Sequence, residues 1–343
     1  MAIACVLLAS CGGGTDEKDG TATSAAAAPG AAAMGITERA TPPKFRPKPL
    51  AHQRKGVTAI VVAGDGGSVA VAGSDGRVRL FDASGTRELR TLGTASKSAV
   101  AGLLLSADGR TLVTVGQDSA ARVWNAGTGE LRFTLNGHEH SLRAVAASAD
   151  GAVIATAGEE TRVMIWDAST GRLKKVLEGN TDFVNAVSVS PDGRFVASGG
   201  VSARILVWNV ETGQLVQTLR GHADEVNALS FSADGKLLAS AAEDGKVLLW
   251  DVAGGRVAQA LTGQHAPMRG LAFNRSGDLL AGGSTQGQVV VWDVATTRVV
   301  HDSTSSSASV NAVAFDPKNK GQLFAGGEES RLMRWTVSPD ASR

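Results

Sequence analysis

Tyrosine is absent from this 343-residue sequence, and aromatic residues make up only 4% of it. That absence removes a side chain that often anchors protein interfaces. Cysteine is scarce too: the two that occur, Cys5 and Cys11, both lie among the first eleven residues. We therefore expect neither a disulfide framework nor a cysteine-ligated metal site in the rest of the chain.

Neither sign of charge predominates in the sequence. The chain carries 34 lysines and arginines against 33 aspartates and glutamates, a formal net charge of +1. Affinity for nucleic acid depends on clustered cationic charge, so this balance argues against a nucleic-acid partner. No apolar run approaches the roughly 18 residues that a membrane-spanning helix needs.

Tryptophan, in contrast, recurs at a regular interval. The six tryptophans are spaced 42, 42, 42, 42 and 43 residues apart. They are Trp124, Trp166, Trp208, Trp250, Trp292 and Trp335. Phe81 lies 43 residues before the first of them, in the similar phrase VRLFD. The chain therefore contains seven copies of one unit, with the period of roughly 40–45 residues that is typical of a propeller blade.

Each copy has the pattern of strands joined by tight turns. In the copy that ends at Trp250, residues 225–231 (EVNALSF) alternate polar or small with apolar side chains, which is the period of a strand. Asp234-Gly235 is a hairpin signal, and two further strands are predicted at LLASAA and KVLLWD. The sequence thus predicts an all-β body, a single seven-bladed β-propeller of four-stranded blades.

These repeats resemble the WD-repeat family of β-propellers over residues 44–338, which leaves 339–343 as a C-terminal tail. The resemblance implies a structural tetrad of His, Ser or Thr, Asp and Trp within a blade. Two copies carry it, one of them with Glu in place of Asp: His222, Ser240, Asp244 and Trp250, and His138, Thr156, Glu160 and Trp166. Other copies have different polar residues at the histidine position: Ser96, Asn180 and Gln264.

The outer strand of the last blade is expected to come from the start of the propeller. Only eight residues follow Trp335, too few to turn and add a fourth strand. We expect Phe45–Leu50 to supply that strand, because the resemblance implies a ring closed by its two ends. Pro47 and Pro49 lie in this segment, and proline is tolerated in an edge strand.

The resemblance also implies a partner-binding face, formed by loops around the central opening. Contact positions in this family flank the first apolar residue of the innermost strand. The residues that we expect to contact a protein partner are Arg143, Phe183, Asn185, Glu225, Asn227, Arg269 and Asn311. Phe183 is the best single candidate, because an aromatic side chain at a loop-facing position is a common interface anchor.

The N-terminus resembles a bacterial lipoprotein signal. A short apolar run leads into Leu8-Ala9-Ser10-Cys11, which matches the lipobox pattern. The resemblance implies that residues 1–10 are a signal peptide and that Cys11 is lipid-modified. Residues 11–43 are rich in Gly, Ala, Ser and Thr, a composition typical of a disordered, flexible tether. Gly12, rather than Asp, at the second mature position favours the outer membrane.

Two alternatives to a lipid-anchored scaffold remain open. A cytosolic WD-repeat scaffold with a disordered leader would keep its N-terminus unprocessed. A propeller hydrolase or lyase would need a non-repeated charged cluster, whereas the acidic residues at the tetrad position recur at the same place in several repeats, as Asp75, Asp118, Glu160 and Asp244. His138 and His140 could be taken as a metal pair, but His138 occupies a tetrad position and no third ligand has suitable spacing. We therefore expect a monomeric, non-enzymatic scaffold at the bacterial cell envelope, without metal or cofactor.

Overall fold

The computed structural model describes residues 48–52, 56–93, 98–304, 308–329 and 331–337. These residues form 28 strands in seven sheets of four antiparallel strands each. The predicted all-β class, the seven blades and the four strands per blade are all confirmed. The part of the chain that the structure describes includes no helix long and apolar enough to cross a membrane. Cys11, the predicted signal peptide, the predicted tether and the predicted C-terminal tail (residues 339–343) lie outside the described residues.

The described chain starts with β1 (Lys48–His52) and then forms six blades of consecutive strands. Blade 1 has β2 (Val57–Val62), β3 (Ser68–Gly73), β4 (Arg77–Asp82) and β5 (Glu88–Gly93). Blade 2 has β6 (Val100–Leu105), β7 (Thr111–Gly116), β8 (Ala121–Asn125) and β9 (Leu131–Leu135). Blade 3 has β10 (Leu142–Ala147), β11 (Val153–Gly158), β12 (Arg162–Asp167) and β13 (Leu173–Glu178).

The remaining blades follow the same plan. Blade 4 has β14 (Val184–Val189), β15 (Phe195–Gly200), β16 (Arg204–Asn209) and β17 (Leu215–Arg220). Blade 5 has β18 (Val226–Phe231), β19 (Leu237–Ala242), β20 (Val247–Asp251) and β21 (Arg256–Leu261). Blade 6 has β22 (Met268–Phe273), β23 (Leu279–Ser284), β24 (Gln288–Asp293) and β25 (Val299–Thr304). The first strands of neighbouring blades contact one another, so they surround the centre of the ring and the fourth strands form its rim.

Blade 7 is built from both ends of the described chain. It has β26 (Val310–Phe315), β27 (Gln322–Gly327) and β28 (Arg331–Thr336), and β1 is its outer strand, in the order β1-β28-β27-β26. The predicted closure is therefore confirmed over residues 48–50, and β1 continues to His52, two residues beyond the predicted end; residues 45–47 of the predicted strand lie outside the described residues. Its pairing with β28 shifts register between Pro49 and Ala51, next to a proline that has no amide hydrogen to donate.

The core of the molecule lies between neighbouring blades. One hydrophobic cluster joins Ile205 of blade 4 to Leu229 and Trp250 of blade 5, and all three side chains are at most 1% exposed. The blades approach so closely that a Cβ atom on Gly199 would lie 2.8 Å from Val226 Cγ1. Burial of apolar side chains between stacked sheets thus holds each blade to the next.

The turns between the first and second strands explain the repeated Ser-x-Asp-Gly sequence. In blade 4, Ser190 Oγ donates to Asp192 Oδ1 (2.6 Å), and the same carboxylate accepts the Arg194 amide hydrogen (3.1 Å). Ser190 Oγ accepts the Phe195 amide hydrogen at 2.9 Å. Gly193 has a φ of 71°, in the left-handed region that favours glycine. This turn fixes the position of the residue that follows the glycine.

Candidate functional site

The tetrad of blade 5 connects the loop before the innermost strand to the second and third strands. Trp250 Nε1 donates to Ser240 Oγ (2.7 Å), and His222 Nε2 lies 2.7 Å from the same hydroxyl. His222 Nδ1 lies 3.2 Å from Asp244. A neutral ring protonated on Nδ1 lets each donor in this series find an acceptor.

Blade 3 repeats this arrangement with a glutamate. Trp166 Nε1 donates to Thr156 Oγ1 (2.7 Å), which lies 2.6 Å from His138 Nε2. His138 Nδ1 hydrogen-bonds to Glu160, and Arg162 Nη2 donates to the same carboxylate at 2.7 Å. The longer glutamate side chain therefore takes the place of the aspartate and keeps the hydrogen-bond series intact.

Burial sets the charge of the tetrad histidines. The side chains of His138 and His222 are 0% and 1% exposed, and their burial lowers the pKa of both rings below the usual histidine value. Burial by itself would raise the pKa of Glu160, but hydrogen bonds from His138 and Arg162 hold that pKa below its usual range. The histidines are thus neutral at pH 7, and their ring nitrogens are occupied within their own blades.

Blades that depart from the tetrad pair their buried groups differently. In blade 4, Asn180 stands in the histidine position and accepts a hydrogen bond from Ser198 (2.9 Å). In blade 6, Trp292 Nε1 donates to the Thr262 carbonyl oxygen (2.7 Å). In blade 7, Trp335 Nε1 is buried without a hydrogen-bond partner among the described residues. Only blades 3 and 5 therefore show the complete series among the described residues.

A β-bulge recurs in the innermost strand of every blade. In blade 4, Val184 pairs with Gly200 and Ala186 pairs with Gly199, so Asn185 has no residue opposite it. The same shift after the first residue of the strand occurs in the other six blades. A bulge changes the direction of a side chain. The seven bulged residues are Thr58, Ala101, Arg143, Asn185, Asn227, Arg269 and Asn311.

Five of the bulged residues form hydrogen bonds to the following blade. The bonds are Thr58 Oγ1 to Val100 O (2.6 Å), Arg143 Nη1 to Asn185 Oδ1 (2.7 Å), Asn185 Nδ2 to Glu225 Oε2 (3.3 Å), Asn227 Nδ2 to Met268 O (3.3 Å) and Asn311 Nδ2 to Val57 O (3.0 Å). The last of these crosses the closure between blades 7 and 1. Four of these five donors are predicted contact residues that hold neighbouring blades together: Arg143, Asn185, Asn227 and Asn311.

The predicted contact residues differ in burial. Asn185 and Asn227 are only 3% and 4% exposed, because the bulge directs their amides across the blade boundary. Glu225 and Asn311 are half-buried. The Arg269 side chain is 21% exposed and lies 3.3 Å from Glu243. Partner contact by Asn185 and Asn227 would have to be made through the little surface that they retain.

Phe183 is the most exposed of the predicted contact residues. It lies in the loop before β14 and is 44% exposed. The Arg143 guanidinium lies 5.8 Å from the centroid of its ring, in the range of a cation–π contact. Arg143 also donates to Glu159 at 3.0 Å. An exposed aromatic ring thus stands beside a guanidinium whose position is fixed by two neighbouring blades.

Within the described residues, no group of three or more His, Cys, Asp or Glu side chains is arranged to hold a metal ion. The family model described as "WD domain, G-beta repeat" matches six segments, which together cover more than half of the chain: residues 46–82, 86–125, 129–167, 171–209, 213–251 and 255–293. The chain belongs to this family. A search of curated proteins gives no match to this chain.

Each WD40 segment is offset from the blades of the propeller. The segment 171–209 contains β13, the outer strand of blade 3, and the first three strands of blade 4. The first segment, 46–82, likewise begins with β1, which belongs to blade 7. Blade 7 has its three inner strands beyond the matched segments, and it carries Ala325 where blade 5 has Ser240. WD40 propellers commonly bind protein partners, and the family is generally non-catalytic.

Proposed function

We propose that this WD40 propeller is a non-enzymatic scaffold that docks a protein partner on the loop face of blades 3–6. The observation that carries the proposal is Phe183, an aromatic side chain 44% exposed at the edge of a polar network. Aromatic residues are enriched among the side chains that dominate binding energy at protein interfaces. The surrounding residues are polar and held in place: Arg143, Glu159 and Glu225 are linked by hydrogen bonds directly or through Asn185.

This network suits the rim of an interface. Groups that are already hydrogen-bonded lose little side-chain freedom when a partner covers them. An apolar anchor surrounded by ordered polar groups is the usual anatomy of a docking surface. Phe183 therefore supplies binding energy in the proposed complex, and the charged residues around it set the position of the partner on the loop face.

The test is photo-cross-linking in cells that produce the protein. One strain carries p-benzoyl-phenylalanine in place of Phe183, and a second strain carries it in place of Leu131. Leu131 is 46% exposed and lies on an outer strand, so the two probes are equally accessible. A discrete protein adduct is expected at position 183 and not at 131. Equal adducts at both positions, or no adduct at position 183, would contradict the proposed docking face.

Phe183→Ala is the matching loss-of-function variant. The Phe183 side chain is 44% exposed and its ring lies against the Arg143 guanidinium rather than in a hydrophobic core, so we expect the thermal midpoint to stay within about 2 °C of wild type. The partner identified by cross-linking should bind at least about tenfold more weakly. Charge reversal at Arg143 or Arg269 is a poorer test, because both guanidinium groups hold bonds across blade boundaries.

We further propose that the scaffold is anchored at the bacterial cell envelope by a lipid on Cys11. Residues 11–43 would be its tether, and the outer membrane is the favoured location. The support is the Leu8–Cys11 pattern and the composition of residues 11–43. One acyl-modified cysteine and a tether would raise the local concentration of the propeller at the bilayer. The alternative is a cytosolic scaffold with an unprocessed leader.

Intact-mass analysis of the native membrane fraction distinguishes these two locations. A mature chain that starts at Cys11 and carries acyl mass is expected, and Cys11→Ala should abolish it. Cys5→Ala is the matched control, because Cys5 lies three residues before the Leu8–Cys11 pattern and should not matter. An unmodified chain in the soluble fraction would favour the cytosolic alternative and leave the docking face to be tested separately.

A further inference from the structure

A cleft opens between blades 3 and 4 on the side of the propeller that carries the turns after the first and third strands. Its volume is about 590 Å³. Its walls include Lys174 and Lys175 of β13 and Arg194 of the turn before β15, and Val153 and Val210 contribute apolar surface. The loop face described above lies at the opposite ends of the strands, so this cleft is a separate feature.

Both lysines enter the cleft because β13 has a bulge. Ile165 pairs with Lys175 and Trp166 pairs with Leu173, so Lys174 has no residue opposite it. A bulge makes two residues of one strand oppose a single residue of its neighbour and changes the direction of their side chains. Two consecutive lysines, which would point to opposite faces of a regular strand, here line the same cleft.

The opposite wall is a turn whose position is fixed by hydrogen bonds. The Val210 amide donates to the Arg194 carbonyl oxygen (2.8 Å), and the Ala149 amide donates to the Pro191 carbonyl oxygen across the blade boundary (3.0 Å). The Arg194 guanidinium lies 5.6 Å from the centroid of the Phe195 ring. The cation is therefore carried on a rigid backbone.

The three cations are weakly neutralised. Among the described residues, no carboxylate lies within 4.0 Å of the Lys175 ammonium or the Arg194 guanidinium. Lys174 Nζ lies 3.9 Å from Asp167 Oδ2. Hydrogen bonds from Ser169 and Thr170 to Asp167 Oδ1 lower the pKa of that carboxyl to about 2, so Asp167 is ionised and partly neutralises Lys174. Glu211 is the single acidic residue that lines the cleft. The residues that line the cleft thus include three cations and one carboxylate, and Asp192 lies two residues before Arg194 in the same turn.

Four other blade boundaries provide an internal comparison at the same three positions. The equivalent residues are Leu89, Arg90 and Arg110 for blades 1 and 2; Arg132, Phe133 and Ala152 for blades 2 and 3; Val216, Gln217 and Lys236 for blades 4 and 5; and Ala258, Gln259 and Asp278 for blades 5 and 6. Three cations meet only between blades 3 and 4 among these boundaries. Their convergence is therefore not a consequence of the repeat itself.

We propose that this cleft binds the phosphate group of an anionic organic ligand, with Lys174, Lys175 and Arg194 as its ligands. Lysine and arginine are the side chains that recognise phosphate oxygens, arginine through two parallel donors and lysine as a point charge. The cleft is larger than a phosphate group, and Val153 and Val210 offer apolar surface to the organic part. A soluble phosphate ester and a phospholipid headgroup share this chemistry. The proposal is independent of partner docking on the loop face.

The test compares two double variants of the full chain that remove the same amount of charge. Lys175→Gln with Arg194→Ala takes two cations from the cleft. Blade 4 already has Gln217 at the first position and blade 3 has Ala152 at the second, so the fold accommodates both residues. The control is Arg110→Ala with Lys236→Ala, which removes two cations at the turn position equivalent to Arg194 in other blades. Thermal melts verify that both variants are folded.

Two probes identify the source of the phosphate. Calorimetry measures sn-glycerol 3-phosphate against glycerol, and co-sedimentation measures phosphatidylglycerol vesicles against phosphatidylcholine vesicles. We expect at least one phosphate probe to bind wild type and the control alike, and to bind the cleft variant at least about tenfold more weakly. Loss with the soluble ester indicates a small-molecule ligand, and loss with vesicles alone indicates a lipid headgroup. No binding of either probe, or equal binding by the two variants, overturns the proposal.

Discussion

At the scale of single residues, identical side chains have different roles according to their hydrogen bonds. Ser230 and Ser240 are both in blade 5 and are 1% and 0% exposed. Ser240 Oγ accepts from Trp250 and lies 2.7 Å from His222 Nε2. Ser230 Oγ is buried without a hydrogen-bond partner among the described residues. Burial of an unpaired hydroxyl costs free energy, whereas a paired one contributes to stability.

Alanine at these two serines should therefore give opposite results. Ser240→Ala leaves the Trp250 donor unpaired, and we expect it to lower the free energy of unfolding by about 1–3 kcal/mol. Ser230→Ala removes an unpaired group and should leave the free energy unchanged or raise it by up to about 1 kcal/mol. Urea denaturation measures both. Equal destabilisation by the two substitutions would contradict the assigned hydrogen bonds.

At the scale of the strands and loops of a blade, the tetrad and the bulge have separate tasks. The tetrad of blades 3 and 5 attaches a loop to the sheet through a neutral buried histidine. The bulge sends the second residue of the innermost strand to the next blade. The sequence indicated the tetrad, because its residues recur at constant distances from Trp166 and Trp250. It did not indicate the bulge, whose only trace is a recurrent polar residue in an apolar strand.

The neutral histidines predict how stability depends on pH. Burial lowers the folded pKa of His138 and His222, so between that value and the unfolded pKa of about 6.5 the unfolded chain binds protons that the folded chain does not. Their contribution is complete above pH 6.5 and is lost as the pH falls towards their folded pKa. We expect the thermal midpoint to decrease from pH 7.5 to pH 5.5.

Asparagine substitutions assign this dependence to the tetrad. Blade 4 has Asn180 at the equivalent position, bonded to Ser198, so His138→Asn and His222→Asn should fold. The double variant should show a flatter pH profile than wild type. His140→Asn, at an exposed histidine, serves as the control and should keep the original slope. An unchanged slope in the double variant would refute the role of burial.

At the scale of the whole molecule, the ring depends on contacts between the two ends of the described chain. β1 pairs with β28, and Asn311 Nδ2 donates to the Val57 carbonyl oxygen across the same boundary. The seventh blade is thus held together by segments that are separated by more than 250 residues in sequence. Each of the other blades needs only consecutive strands.

Deletion of residues 44–52 should accordingly destabilise the whole ring. It removes the outer strand of blade 7 and its backbone hydrogen bonds to β28, and we expect the thermal midpoint to fall by roughly 5–10 °C. Deletion of residues 12–43 is the control, since their composition predicts a tether, and it should leave the midpoint unchanged. A melt that is insensitive to loss of residues 44–52 would show that β1 does not hold the ring closed.

The sequence by itself determined the number of blades and the order of strands within them, whereas the place of ring closure was implied by the family resemblance. The blade number and the strand order follow from local signals: alternation of apolar residues, Asp-Gly turns and the regular spacing of Trp124 to Trp335. Only the tertiary structure decided what the polar residues do. Asn185 and Asn227 are buried, and Lys174 and Lys175 share a cleft with Arg194, because bulges direct them towards a neighbouring blade. Contacts between residues about 42 positions apart in different sheets cannot be inferred from local periodicity.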